Sequence, residues 1–258
     1  MQDGTPEPGR TAASGLAQRW RRSVASVVDH ALRAGYMKSE VLAADAADAA
    51  RALEEICIAA EAGDVAGHDV IAALAPVLPL PELAGRCDEL RALAAEHALA
   101  ALWRVLRRPW PVPADEAAEK RAAAPVKAQG RSLTLGERKS MARRPSRRML
   151  DDLMRDPDPA VVRTLLANPR LTESDVVRMV ARRPGSPQAL AEIARNTKWM
   201  LQQRVRRALV QNPATPPEVA LPVVSLLLRP ELEDLAAAAD APSHIRNAAA
   251  ELLARRMT

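Results

Sequence analysis

Residues 144–169, RPSRRMLDDLMRDPDPAVVRTLLANP, decide the fold of this chain. The first half of the stretch has an apolar stripe that stops at the sequence DPDP, and the second half has another that stops at Asn168 and Pro169. The stripes consist of Met149, Leu150, Leu153 and Met154, and of Val161, Val162, Leu165 and Leu166. Each helical segment is only about ten residues long, and isolated helices of that length are marginally stable. Stacking on similar neighbours is therefore required, which is typical of a solenoid.

The order of these signals resembles that of a known repeat family. A helix headed by Pro145 is followed by DPDP and then by V-V-R-x-x-L-x-A-N-P, a pattern similar to the leucine-rich repeat variant family. The resemblance is close from Pro145 to Pro169 and looser from there to the C-terminus. It implies a right-handed superhelix of short paired helices, related in style to HEAT repeats. It also implies a binding scaffold and no reaction.

Similar local signals recur throughout residues 132–258. Three capping boxes are predicted, in each of which a threonine and an acid three positions later satisfy the free backbone N–H groups at a helix start. The pairs are Thr134 with Glu137, Thr172 with Asp175, and Thr215 with Glu218. Proline follows a predicted capping residue at Asp158, Ser186 and Thr215. These signals predict an α-solenoid of eight or nine short helices, the last at about residues 243–256 as the terminal cap.

The chain before the repeats differs in kind. Residues 1–14 are polar and predict a disordered tail, and residues 15–108 predict a small antiparallel helical bundle. Residues 109–131 begin with PWPVP, which cannot continue a helix, and predict a linker. The predicted fold is therefore all-α, a bundle followed by a HEAT-like solenoid.

Glycine and serine give the expected helix boundaries in the bundle. A first helix is predicted to be capped by Ser14 and ended by Gly35, and a second to run from Ser39 to Gly63. One long helix is predicted over residues 82–107. A short helix is expected between the second and the long one, near residues 70–75.

Net charge is unevenly distributed along the 258 residues. Residues 1–130 hold 15 Lys and Arg against 18 Asp and Glu, whereas residues 131–258 hold 22 against 14. The net charges are therefore −3 and +8, which give the +5 of the whole chain. A basic second half favours an acidic partner, and a nucleic acid is the alternative.

Composition argues against catalysis. Aromatic residues make up 2% of the chain, and ligand cavities are usually lined by them. The four histidines match no metalloprotease, Ser-His-Asp or phosphate-loop motif. Cys57 and Cys87 are far apart and predicted to be buried, so they form neither a disulfide framework nor the iron–sulfur module of some leucine-rich repeat variant proteins. We predict no enzyme activity, no metal and no cofactor.

The sequence also lacks the signals of membrane insertion and export. No apolar run approaches the length of a membrane span, and the polar first 15 residues do not resemble a signal peptide. A cytoplasmic protein is expected.

An arginine follows Val or Ile at a repeated position, which gives Arg163, Arg206 and Arg246. One interpretation is a row of phosphate or carboxylate binders. The interpretation we favour is that each guanidinium joins one repeat to the next, because repeat-fixed positions usually serve stacking. The acceptor would be an aspartate such as Asp156 or Asp158, or carbonyl groups at a helix end.

Residues 131–148 hold seven cations and one acid. They form either a solvated surface or a docking patch for an acidic partner, a phosphate backbone or an anionic membrane. Trp199, the one aromatic residue of the second half, either anchors a partner or, more often for such residues, fills a packing gap. The candidate partner-binding residues are Arg138, Lys139, Arg143, Arg144, Arg147, Arg148, Arg182, Arg183, Lys198, Trp199, Arg204 and Arg207.

Two functions follow from these features. The first is a non-catalytic scaffold that binds another protein, with an acidic surface, through the surface of the solenoid. The alternative is DNA binding by the basic half, since some HEAT-like proteins, including a family of alkylpurine DNA glycosylases, hold duplex DNA in a basic concave groove. The glycosylase version requires several aromatic residues and an acid along one groove.

Overall fold

The computed structural model describes residues 8–108, 127–128, 131–144 and 146–255. Within these ranges the protein is built from 16 α-helices, which confirms the all-α prediction. The β structure in the described ranges is one short antiparallel pairing, of Lys127–Ala128 with Arg131–Ser132. Residues 1–7 of the predicted tail and residues 109–126 of the predicted linker lie outside the described residues.

Six helices form the N-terminal unit, residues 8–106. Helix α3 contacts four of the other five and lies at the centre of the unit. The largest fully buried side chains include Trp20, Ile56, Leu90 and Leu102, and Cys57 and Cys87 are buried as predicted. The helices are α1 (Pro8–Ser26), α2 (His30–Ala43), α3 (Ala46–Glu61), α4 (Val65–Leu74), α5 (Ala84–Glu96) and α6 (Ala100–Leu106), with a 3-10 turn at Pro81–Leu83 before α5.

Several predicted boundaries in this unit are wrong: α1 begins before Ser14, and Asp29 and Asp45 cap α2 and α3, so Ser39 lies inside α2. Helix α1 begins at Pro8, so Ser14 lies inside the helix and the second half of the predicted tail is helical. The carboxylate of Asp29 accepts a hydrogen bond from the N–H of Leu32 at the start of α2. Helix α2 then continues through Gly35, where a glycine end was predicted.

The predicted long helix is two helices, separated after Glu96. The carboxylate of Glu54, on α3, accepts hydrogen bonds from the N–H groups of Ala101 and Leu102 at 3.2 and 2.7 Å, and so caps the start of α6 from another helix. Ala98 takes a positive φ of 52° at the turn. No local signal marks this break, since the capping group lies more than forty residues away in sequence.

Ten helices form the C-terminal unit, residues 135–255, against the eight or nine predicted. The capping boxes at Thr134 and Thr172 are confirmed. The third is wrong, because the Thr215 hydroxyl donates to the carbonyl of Leu209 at 2.6 Å. The helices are α7 (Leu135–Arg143), α8 (Arg147–Leu153), α9 (Pro159–Leu166), α10 (Glu173–Ala181), α11 (Pro187–Ala194), α12 (Thr197–Met200), α13 (Gln203–Gln211), α14 (Pro217–Val224), α15 (Arg229–Ala237) and α16 (Ser243–Arg255).

The helices of this unit pack mainly on near neighbours in the sequence. Helix α7 packs on α9 and α9 on α11, while α10 packs on α13, and α14 and α15 pack on α16. One continuous core runs through all of them. Both apolar stripes of residues 144–169 contribute to it, although Met149 and Met154 are only half-buried. The burial that stabilises each short helix therefore comes from its neighbours.

The two units are in contact. Leu226, between α14 and α15, belongs to the core of the N-terminal unit, and α14 contacts α6. The guanidinium of Arg195 donates to the carbonyl of Pro79 at 2.7 Å. Arg107, directly after α6, pairs with Glu251 of α16 at 3.0 Å. In this pair the cation comes from the acidic half and the acid from the basic half, so the contact does not neutralise the basic half.

Candidate functional site

Asn168 brings the ends of two helices together at one edge of the C-terminal unit. It follows α9, and its side-chain amide donates to the carbonyls of Ala142 and Arg144 at the end of α7, at 2.7 and 3.1 Å. Its side-chain oxygen accepts from the N–H of Arg170 at 2.9 Å. Asn168 is buried, so these bonds satisfy carbonyl groups that the helix end leaves free. The side chain of Asn168 therefore bridges the backbones of Arg144 and Arg170 and keeps these two residues close together.

Asn212 repeats this arrangement in the next part of the unit. Its side chain follows α13 and donates to the carbonyls of Val180 and Arg182 at the end of α10. Its oxygen accepts from the N–H of Ala214 at 3.0 Å. The recurring Asn-Pro dipeptide therefore has a structural reason, the capping of a helix that ended about thirty residues earlier.

A second contact at the same edge joins the starts of α8 and α10. Both terminal nitrogens of Arg147 donate to the carboxylate of Asp175 at 2.6 Å. That carboxylate also accepts from Arg178 and from the N–H and hydroxyl of Thr172, and it is buried. The Arg147 hydrogen bonds, followed by those from Thr172 and Arg178, hold the pKa of Asp175 well below its usual range.

Because the pKa of Asp175 is depressed in the folded state, its stabilising effect is present above the unfolded pKa of about 4 and is lost as pH falls. We expect Asp175→Asn to lower the free energy of unfolding by about 2 kcal/mol at neutral pH. The difference from the native chain should shrink in urea titrations below about pH 4. The control is Asp152→Asn, an exposed acid of α8. A difference that stays constant with pH would contradict the assignment.

The repeated arginines at positions 163, 206 and 246 have internal partners. Arg163 forms a two-pronged pair with the buried carboxylate of Glu192, at 2.6 and 3.1 Å, and so joins α9 to α11. Arg206 and Arg246 donate to carbonyl groups just after the preceding helix. The favoured interpretation therefore holds for Arg163, although its carboxylate is Glu192 and not Asp156 or Asp158. It is wrong for Arg206 and Arg246, whose acceptors lie only five to seven residues before them in the chain.

Some candidate partner-binding residues serve the interior instead. Arg138 is buried and donates to the buried carboxylate of Asp156 at 2.6 Å. Trp199 is 3% exposed, and its indole N–H donates to the carbonyl of Leu166 at 3.0 Å. It fills a gap between helices. The ammonium group of Lys198 lies over its ring, 4.4 Å from the centroid.

Four other candidates are exposed but have partners of their own. Arg204 and Arg207 lie near Glu173 and Asp234, at 4.0 and 2.9 Å. The remaining two lie at the opposite edge, where α10 ends. Arg182 donates to the carbonyl of Arg155 at 3.0 Å, and Arg183 donates to the carbonyl of Gln211 at 3.0 Å and lies 3.5 Å from Asp240.

The remaining exposed cations concentrate at the edge that Asn168 organises. We define the cationic edge as Arg143, Arg144, Arg148, Arg170 and Lys198. All five side chains are exposed, and none has an acidic partner among the residues that the structure describes. Lys139 on α7 also has no acidic partner in the described ranges, but its side chain is half-buried, so it is not included in the cationic edge.

Sequence reasoning identified four of these five cations and missed Arg170. The missing signal was the dipeptide before it, since an asparagine that caps α7 necessarily places the following residues at the end of that helix. The edge therefore gathers cations from the ends or starts of four helices, α7, α8, α9 and α12. Such unpaired charge raises the local concentration of anions and is suited to binding them.

No group of histidine, cysteine or carboxylate side chains in the described ranges has the arrangement of a metal site. None of the described helices has both the length and the apolar content that crossing a membrane requires. Comparison of the chain with protein-family models, with curated proteins and with solved structures found no match.

Proposed function

We propose that this chain is a non-catalytic scaffold in which residues 132–258 form a HEAT-like superhelix of the leucine-rich repeat variant type. The cationic edge binds a partner protein with an acidic surface. The packing of short helices on near neighbours supports the superhelix, as do the two Asn-Pro caps that join one repeat to the next.

One observation carries the proposed binding surface. Most arginines of the C-terminal unit bind a carboxylate or a carbonyl group of the protein itself. Of the six exposed cations in the described part of this unit that do not, five lie at one edge and the sixth, Arg155, lies at the opposite edge. Unpaired cations repel one another and contribute little to folding, so their concentration favours a role in association. The N-terminal unit contacts α12, α14 and α16 and does not supply acids to this edge through the ion pairs that the structure describes.

Site-specific photo-crosslinking in cells tests this proposal. A photo-reactive residue at Ala167, which is exposed at the end of α9, should yield a discrete protein adduct. The matched control is Ala181, which is equally an exposed alanine at a helix end but lies on the opposite edge. Equal adducts from both positions, or adducts with nucleic acid alone, would contradict the proposal.

Binding of a nucleic acid is the second candidate, because the same exposed arginines would also contact phosphate groups. In that case affinity for duplex DNA should fall steeply as salt rises, since phosphate contacts release counterions. The glycosylase version has less support, because Trp199, the one aromatic side chain of this half, lies in the interior with its N–H already bonded.

A further inference from the structure

We infer that the cationic edge binds an extended, carboxylate-rich segment of a polypeptide. This inference rests on the proposed function and specifies the chemistry of the partner. The first reason is the shape of the positive strip. Arg143, Arg144 and Arg170 lie together at the Asn168 cap, and Lys198 extends the strip, because its neighbour Trp199 is bonded to the last residue of α9.

The strip is narrow because acids border it. Asp152 is exposed on α8, one turn after Arg148, and has no cationic partner in the described ranges. Asp151 and Glu173 also lie there, 2.8 and 4.0 Å from Arg147 and Arg204. A duplex nucleic acid covers roughly 1,000 Å² or more of protein surface, and so would bring phosphates against these carboxylates. A single extended chain can follow the strip and avoid them.

The side-chain chemistry of the edge also favours a polypeptide. Four of the five cations are arginines, whose planar fork matches a carboxylate with two parallel hydrogen bonds. Leu201, three residues after Lys198, is 44% exposed and provides an apolar contact for a side chain of the partner. The aromatic side chain next to it, Trp199, is buried and cannot stack on a base.

The test measures the affinity of the full chain for two labelled probes, an oligo-glutamate peptide and a duplex DNA of equal total charge, by fluorescence anisotropy. Oligo-glutamate should bind at low salt, and Arg170→Glu should weaken it about fivefold to tenfold, since one attraction becomes a repulsion. The control is Arg155→Glu, which makes the same charge change on an arginine that is also exposed but lies at the opposite edge. It should change the affinity less than about twofold.

Three outcomes would overturn the inference. The first is that oligo-glutamate fails to bind at low salt, and the second is that both variants weaken its binding equally. The third is that the native chain binds the duplex DNA more tightly than oligo-glutamate and that Arg170→Glu weakens the DNA binding. Thermal unfolding of both variants is the control that each keeps its fold. If the Ala167 crosslink to a protein persists while oligo-glutamate neither binds nor competes with it, the scaffold function stands and the acidic-segment inference fails.

Discussion

Leu226→Asp is expected to separate the two helical units, and this is the largest effect that we predict. Leu226 is 2% exposed and lies in the core of the N-terminal unit, although it belongs to the C-terminal one. A carboxylate there would be buried without a partner, at a cost of about 4 kcal/mol or more. We expect limited proteolysis to cleave between the units and chemical denaturation to show two transitions in place of one.

Leu228→Asp is the matched control for this variant. Leu228 lies two residues further along the same loop but is 54% exposed, and it is the N-cap residue of α15, where aspartate is favoured, so the same substitution should not lower the free energy of unfolding. If Leu226→Asp has the proteolysis pattern and denaturation midpoint of the native chain, Leu226 does not hold the units together.

Asn168→Ala is expected to lower the free energy of unfolding by about 2–4 kcal/mol. The substitution removes the donor for two carbonyl groups at the end of α7 and the acceptor for the N–H of Arg170, at a buried position. Because Asn168 and Ala142 are buried, the cost is larger than that of one surface hydrogen bond. Urea denaturation of the purified variant measures it.

Asn247→Ala provides the comparison, since Asn247 is an exposed residue of α16 and the substitution favours the helix. It should leave the midpoint of unfolding nearly unchanged. Asn212→Ala should resemble Asn168→Ala, because it removes the same set of contacts. A native midpoint for Asn168→Ala would refute the role assigned to the Asn-Pro dipeptide.

The sequence predicted helix ends correctly where the capping group is close in sequence and wrongly where it is distant. At Thr134 and Thr172 the acceptor is within three residues of the helix start, so the pattern was readable and correct. At the start of α6 the acceptor is Glu54 on another helix, and the predicted long helix was wrong. The cap predicted at Thr215 was wrong for a different reason, because its hydroxyl donates to the carbonyl of Leu209 near the end of α13.

The candidate site was predicted as a basic stretch, and the structure divided that stretch. Arg138 and Arg147 bind Asp156 and Asp175, whereas the three arginines at 143, 144 and 148 stay exposed without an acidic partner in the described ranges. The number of charges can be read from the sequence. Which acid binds each guanidinium depends on contacts between residues 18 or 28 positions apart. Arg170 belongs to the site because Asn168 bonds to its N–H and to the carbonyl of Arg144, which is 26 residues earlier in the chain.

By itself the sequence determined that this protein is all-α, because helix propensity, apolar spacing and local caps act within a few residues. It also determined that the second half carries the net positive charge. Only the tertiary structure decided which cations remain exposed, that Trp199 is interior, and that Leu226 joins the two units. These outcomes depend on burial and on partners distant in the sequence, and a local pattern does not contain that information.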